Sequence, residues 1–149
     1  MIRLCREWFD PWKELAAYQQ EAFGRKGTFG ATASFVGTMR DFNDGERVCR
    51  MDLEYYPGMT EKHLEEILGE ARRRWEVLDA LVIHRVGTIT PDDPIVLVAV
   101  WSVHRGAAFD ACRYVMEELK SRAPFWKKEL LAGGRGRWVE SNTDGYQSA

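Results

Sequence analysis

The sequence predicts an α+β domain across all 149 residues, with a largely antiparallel sheet flanked by three main helices. Two near-continuous apolar runs, residues 80–86 and 95–103, are typical of central strands that are covered on both faces. Three other segments carry apolar residues at helical spacing. The resulting order of strand, helix, strand pair, helix, strand pair and helix favours antiparallel pairing in a single domain.

The first half of the chain is predicted to contain one helix and three strands. Residues 2–6 form a short strand, and Asp10-Pro11 is typical of the cap and first residue of a helix that ends near Gly24. Residues 30–39 and 48–56 alternate as strands on either side of a loop that contains an Asp-Gly turn pair. The residues predicted to face the core are Trp12, Leu15, Ala16, Ala22 and Phe23 on the helix, and Ala31, Ala33, Phe35, Met51, Leu53 and Tyr55 on the strands.

The second half adds two helices and the two apolar strands. Thr60 is predicted to cap a helix that continues to about Trp75, and residues 90–94 connect the two apolar strands. A third helix covers residues 107–122 and stops before Pro124, which cannot continue a helix. Residues 127–128 follow in an extended stretch and residues 138–140 form a last strand. The tail after about residue 142 is predicted to be flexible.

Composition excludes several classes of protein. The formal charge of −2 gives no global attraction to nucleic acid, so an RNA-binding domain that stacks bases on its six tryptophans and five tyrosines is the weakest interpretation. No segment has the pattern of a signal peptide or a membrane span, and a cytoplasmic location is expected. Three separated cysteines, predicted to be small buried hydrophobes, form no disulfide framework. The three histidines have no metal-ligand spacing, and no cofactor is predicted.

Cations cluster around the stop of the third helix. Lys120 stands on its last turn, and Lys127 and Lys128 follow the rigid Pro124 turn. This arrangement is consistent either with a solvated basic helix end or with a pocket that binds phosphate or an acyl group. The pair His104-Arg105 stands at a strand-to-helix junction, where it is either structural or part of an anion site. His84-Arg85 is interpreted as structural, with a possible place at a subunit contact.

Five segments, taken in order, resemble one family. They are residues 35–40 (FVGTMR), 53–59 (LEYYPGM), 84–87 (HRVG), 102–105 (SVHR) and 120–129 (KSRAPFWKKE). The resemblance is to the catalytic, large subunit of molybdopterin synthase, the MoaE family, and it extends over nearly the whole chain. It implies an α/β hammerhead fold and a homodimer at the centre of a heterotetramer.

The resemblance also implies a reaction and its partners. A small ubiquitin-like subunit inserts a Gly-Gly tail that ends in a thiocarboxylate, and two sulfurs are installed in cyclic pyranopterin monophosphate to give the dithiolene of molybdopterin. By the same resemblance the catalytic residues are Lys120 and Lys127. The substrate-binding residues are Thr38, Met39, Arg40, His104, Arg105, Lys128 and Glu129.

Two points qualify this assignment. Some relatives carry an arginine after the Trp-Val-Glu segment, where this chain has residues 141–143 (SNT), so Arg40, Arg105 or a basic group of a second subunit must substitute. The alternative function is a non-catalytic adaptor that docks a ubiquitin-like sulfur carrier. Such an adaptor needs a docking surface and a channel for the tail, but not both lysines.

Overall fold

The computed structural model describes residues 1–140. Within them the elements are β1 (Ile2–Cys5), α1 (Pro11–Ala22), β2 (Ala31–Thr38), β3 (Phe42–Asn43), β4 (Glu46–Tyr55), α2 (Met59–Arg74), β5 (Val77–Arg85), β6 (Gly87–Ile89), β7 (Pro94–Ser102), α3 (Arg105–Arg122), β8 (Phe125–Leu131) and β9 (Gly136–Trp138). The predicted α+β class with three helices and largely antiparallel strands is confirmed. The strands form two sheets, however, where one was predicted.

The first sheet has the strand order β1-β5-β7-β2 and is covered on both faces. β1 pairs with β5 in parallel, and the other neighbours are antiparallel. Val82, Val98 and Val100 pack in the cluster formed with α2 and α3, whereas Leu97 and Trp101 pack in the cluster formed with α1. Two buried faces explain why β5 and β7 are apolar along nearly their whole length.

The second sheet has the order β3-β4-β8-β9. The short strand β6 also belongs to it and pairs with residues 51–53 of β4. Met51 and Leu53 are buried in its core and Tyr55 packs against them, as predicted from the alternation of β4. β3 and β4 are joined by Asp44 and Gly45, whose φ angles of 49° and 79° suit the predicted two-residue turn. This sheet brings β8 against β4, so that the residues after Pro124 lie beside the β3–β4 hairpin.

The two predicted helix caps have different outcomes. The Asp10 carboxylate accepts hydrogen bonds from the amides of Trp12 and Lys13, at 3.0 and 3.2 Å, and this cap is confirmed. The predicted cap at Thr60 is wrong, because α2 begins at Met59 and its N-cap is Gly58, two residues before Thr60. The Thr60 hydroxyl is buried and accepts from the Tyr56 amide at 3.1 Å while it donates to the Pro124 carbonyl at 3.1 Å. Thr60 therefore ties the start of α2 to the turn that precedes β8.

Several predicted burial positions are wrong for local reasons. Trp12 is 63% exposed and Ala16 is also exposed, because α1 packs on the sheet only through a narrow stripe. Phe35 is 42% exposed and borders a cavity. Cys49 is exposed because the alternation of β4 that buries Val48 turns the next side chain outward. The predicted flexible tail and the departure at residues 141–143 lie outside the described residues. Across residues 1–140, no helix has the length and apolarity needed to span a membrane.

Candidate active site

A cavity of about 740 Å³ lies where the last turns of α3, the end of β2, the β3–β4 hairpin and β8 meet. Of the predicted site residues, six line it: Thr38, Met39, Arg40, Lys120, Lys127 and Glu129. Its volume is in the range of ordinary small-molecule sites. The predicted cluster around the Pro124 turn therefore forms part of the wall of a partly open cavity.

The Pro124 turn decides which lysines reach the cavity. α3 carries Lys120 on its last turn and ends at Ala123, whose backbone is extended as expected before proline. β8 then alternates, so that Lys127 faces the cavity and Lys128 faces away from it. The Lys128 ammonium instead lies 5.6 Å from the centre of the Trp138 ring. Two lysines that are neighbours in sequence thus occupy opposite faces of one strand.

Lys127 loses its proton more easily than an ordinary lysine, because its pKa is lowered. Burial, and then the positive charge of Lys120, lower the pKa of Lys127 to about 8, and the Glu129 carboxylate only partly opposes this shift. At neutral pH roughly one molecule in ten then carries a neutral Lys127 amine, against about one in 2,500 for an ordinary lysine. The site can accordingly offer Lys127 either as a proton donor or as a base.

Glu129 is buried at the edge of the cavity and has both of its oxygens occupied. Asn43 donates from Nδ2 to Oε1 at 2.7 Å, and Arg137 donates from Nε to Oε2 at 3.0 Å. Arg137 also donates to the Asn43 carbonyl at 2.8 Å and pairs with Glu46 at 2.7 Å. Glu129 and Arg137 therefore fasten the β3–β4 hairpin to β8 and β9.

This fastening fixes the segment that supplies the predicted phosphate ligand. Met39 is buried, and its backbone exchanges hydrogen bonds with the loop before β7, from its amide to the Asp93 carbonyl and from the Asp92 amide to its carbonyl, both at 2.9 Å. Thr38 and Arg40 on either side of it are exposed and line the cavity. Arg40 is thus anchored through Met39 on one side and through the hairpin on the other.

The cavity also contains a residue that the sequence analysis assigned to structure alone. His84, the second-last residue of β5, is 4% exposed and lines the same wall as the two lysines. Its ring stacks on Phe125, with centroids 4.2 Å apart and planes 13° apart, and Nδ1 lies 2.7 Å from the Arg85 carbonyl oxygen. Burial, together with the charges of Lys127 and Lys120, lowers the pKa of His84 to about 4. The polar pair His84-Arg85 at the end of an apolar run was the signal available in the sequence.

His104 and Arg105 are not brought to this cavity within one chain. Both are exposed, His104 precedes α3 and Arg105 is its first residue. Arg105 lies at the opposite end of α3 from Lys120, about 22 Å along the helix axis. Their predicted role in substrate binding stays a prediction.

The thiols are remote from this chemistry. Burial raises the pKa of Cys112 to about 11 and also raises the pKa of Cys5. Exposed Cys49 lies on β4, and none of these three cysteines lines the cavity. In the part of the chain that the structure describes, no three His, Cys, Asp or Glu side chains are grouped as metal ligands. The lysine pair is therefore the chemically distinctive feature of the cavity.

Fold and site together define a class of protein: an α+β domain that presents two lysines and an arginine to one partly open cavity. Comparison with known proteins narrows this class. The MoaE protein family matches residues 8–122, and the chain belongs to that family. A molybdopterin synthase catalytic subunit from Ralstonia nicotianae is 56% identical over 140 residues, which are 94% of this chain and 77% of the relative. The predicted family and its enzymatic role in molybdopterin synthesis are thereby confirmed.

Solved structures agree on the fold. A molybdopterin biosynthesis MoaE protein from Burkholderia ambifaria is 48% identical and superposes with a TM-score of 0.78, over 97% of this chain and 92% of that chain. A complex of subunits 1 and 2 of the molybdopterin-converting factor from Helicobacter pylori contains a chain that is 22% identical, with a TM-score of 0.77, over 93% of this chain and 90% of that one. At that identity the second likeness extends to the fold alone.

Proposed function

We propose that this chain transfers sulfur from the C-terminal thiocarboxylate of a small ubiquitin-like subunit to cyclic pyranopterin monophosphate. The observation that carries the proposal is the meeting of Lys120 and Lys127 on one cavity, where the pKa of Lys127 is lowered to about 8. A solvated pair would have ordinary lysine chemistry. A partly buried pair on one cavity, beside an acyl group, can supply charge and a proton where they are needed.

The lysines act on the thiocarboxylate of the partner. An ammonium beside it neutralises its charge and polarises the carbonyl as an acyl intermediate forms. In each transfer the acyl carbon–sulfur bond breaks, the sulfur replaces one carbon-bound oxygen of the pterin, and the acyl carbon takes an oxygen from water, so that the small subunit ends as a carboxylate. The displaced pterin oxygen leaves with the phosphate where the cyclic ester opens, and as water at the carbonyl carbon. Two such transfers supply the dithiolene. Because the sulfur arrives with the partner, none of the three cysteines need react.

The cavity also suits the phosphorylated substrate. Arg40 lies at its rim, and a planar guanidinium binds two phosphate oxygens at once. Glu129 takes a supporting role in this proposal, because its oxygens already bind Asn43 and Arg137 and a free carboxylate would repel a phosphate. The reaction is placed in the cytoplasm, since the free thiols of the chain suit a reducing compartment.

A homodimer gives His104 and Arg105 a place in the reaction. Their distance from Lys120 within one chain is too large for a shared substrate, so we propose that they serve the cavity of a second copy. Purified mixed dimers of Arg105→Ala and Lys127→Ala chains test this. If the pocket is shared, one of the two pockets is intact and about half of the parental activity returns. If each pocket is built from one chain, both pockets are defective and the mixed dimers stay as inactive as the variants.

The Helicobacter pylori complex contains a chain of this fold beside a second subunit, and such an arrangement is compatible both with an enzyme that receives sulfur from a small subunit and with an adaptor that only docks the carrier. Complex formation and product formation are therefore measured on the same sample, with thiocarboxylated small subunit and cyclic pyranopterin. Dithiolene product, detected by mass spectrometry of the pterin, is the expected result. A stable complex that never yields product identifies the adaptor.

A further inference from the structure

The buried imidazole of His84 is held by a ring stack and by a hydrogen bond, in addition to packing. Its ring is fixed on one face by Phe125 and at one edge by the Arg85 carbonyl, so it has little freedom to turn. Its neighbours in the sheet, Leu4 on β1 and Val96 on β7, are apolar. The charges that face it are those of Lys127 from β8 and Lys120 from α3.

The contact with the Arg85 carbonyl determines the tautomer of the ring. A carbonyl oxygen can only accept, so Nδ1 carries the hydrogen and donates it. Nε2 is then the acceptor of the neutral ring. It is also the ring nitrogen farther from the backbone of β5, and His84 lines the cavity.

The position of Phe125 associates the Nε2 acceptor with Lys127 rather than with Lys120. Phe125 and Lys127 are alternate residues of β8, so both side chains stand on the face of the strand that borders the cavity, about 7 Å apart along it. The ring that stacks on Phe125 therefore lies against the face of β8 that also carries Lys127. Lys127 is also the larger of the two lysine influences on His84.

We propose that His84 is a positioning residue for sulfur transfer, whose Nε2 accepts a hydrogen bond from the Lys127 ammonium and aims it at the acyl group in the cavity. This inference rests on the proposed function for its role, though not for the contact itself. His84 does not act as an acid or base in this scheme. With a pKa of about 4 against about 8, transfer of a proton from Lys127 to His84 is disfavoured about ten-thousand-fold.

Two amide substitutions separate the two edges of the ring. His84→Asn retains a donor near the position of Nδ1 and loses the acceptor at Nε2, whereas His84→Gln retains an acceptor near Nε2 and loses the donor to Arg85. Both are polar and smaller than histidine, so each controls for lost stacking in the other. Turnover, KM for the pterin, thermal unfolding and small-subunit binding are measured on both.

A third readout does not depend on turnover. Acetylation of the Lys127 amine, followed by mass spectrometry across a pH series, gives the apparent pKa of that lysine. An acceptor stabilises the ammonium, so its loss in His84→Asn is expected to lower the Lys127 pKa by about one unit further. We expect kcat of this variant to fall about tenfold or more with little change in KM, and His84→Gln to stay within about threefold of the parent.

Each outcome bears on the proposal. If His84→Asn matches or exceeds His84→Gln in kcat and in the Lys127 pKa, the ring serves only the Arg85 carbonyl and the proposal is overturned. Equal impairment of both variants overturns it as well. If the parent itself transfers no sulfur, the proposed function fails, but the difference in Lys127 pKa between the two variants still decides whether Nε2 contacts Lys127.

Discussion

Replacement of Lys127 by alanine is expected to reduce product formation at least a hundredfold while binding of the small subunit changes little. The variant removes a partly buried ammonium that faces the proposed acyl group and leaves the outer surface of the domain intact. Losses of this size are typical when one electrostatic contact to a reacting group is removed. Single-turnover product formation and the Kd for the small subunit, measured side by side, check the prediction. Lys120→Ala is expected to behave in the same way.

The neighbouring lysine provides the matched comparison. Lys128 has the same side chain one residue later, but it faces away from the cavity and lies over Trp138. We expect Lys128→Ala to lose far less activity than Lys127→Ala, about threefold or less. Equal losses of activity in the two variants would contradict the placement of Lys127 and Lys128 on opposite faces of β8. They would support the assignment of Lys128 to substrate binding. Equal losses of activity and of partner binding in Lys127→Ala would make Lys127 a docking residue.

Replacement of Arg137 by alanine is expected to lower the free energy of unfolding by about 2–4 kcal/mol. Arg137 pairs with Glu129, whose side chain is only 6% exposed, so the variant leaves a buried carboxylate with one of its two partners. It also releases the Asn43 carbonyl and loosens the hairpin next to Arg40. Urea unfolding measures the stability, and the KM for the pterin should rise in the same variant.

Arg135→Ala is the control for this experiment. Arg135 pairs with the same Glu46, but its side chain is 69% exposed, and an exposed ion pair contributes about 0.5 kcal/mol or less. We therefore expect the Arg137 variant to lose far more unfolding free energy than the Arg135 variant, although both arginines pair with Glu46. Similar stabilities for the two variants would mean that Glu129 does not depend on Arg137.

Features that depend on local sequence were predicted well. The Asp10 cap, the Asp44-Gly45 turn and the helix stop before Pro124 are each set by a few neighbouring residues. The apolar runs of β5 and β7 reflect burial on both faces, a property that the sequence carries directly. The extended stretch after Pro124 was also predicted. The alternation of side chains along a strand, applied to that stretch, would have placed Lys127 and Lys128 on opposite faces.

Features that depend on distant pairing were not predicted. Asn43 and Glu129 are 86 residues apart, and Asn43 and Arg137 are 94 apart, so no local pattern relates them. The division of the strands into two sheets likewise follows from the pairing of β4 with β8. His84 was assigned to structure because its meeting with Phe125 and the two lysines requires both sheets and the end of α3.

The central claim is that sulfur carried by the partner ends on the pterin at the lysine cavity. It is tested most directly by labelling the thiocarboxylate of the small subunit with heavy-isotope sulfur and following the label by mass spectrometry through one reaction. The account predicts a pterin that carries two labelled sulfurs and a small subunit that returns to an unlabelled carboxylate, with Lys127→Ala blocking both changes. Label that stays on the small subunit within a stable complex would contradict it.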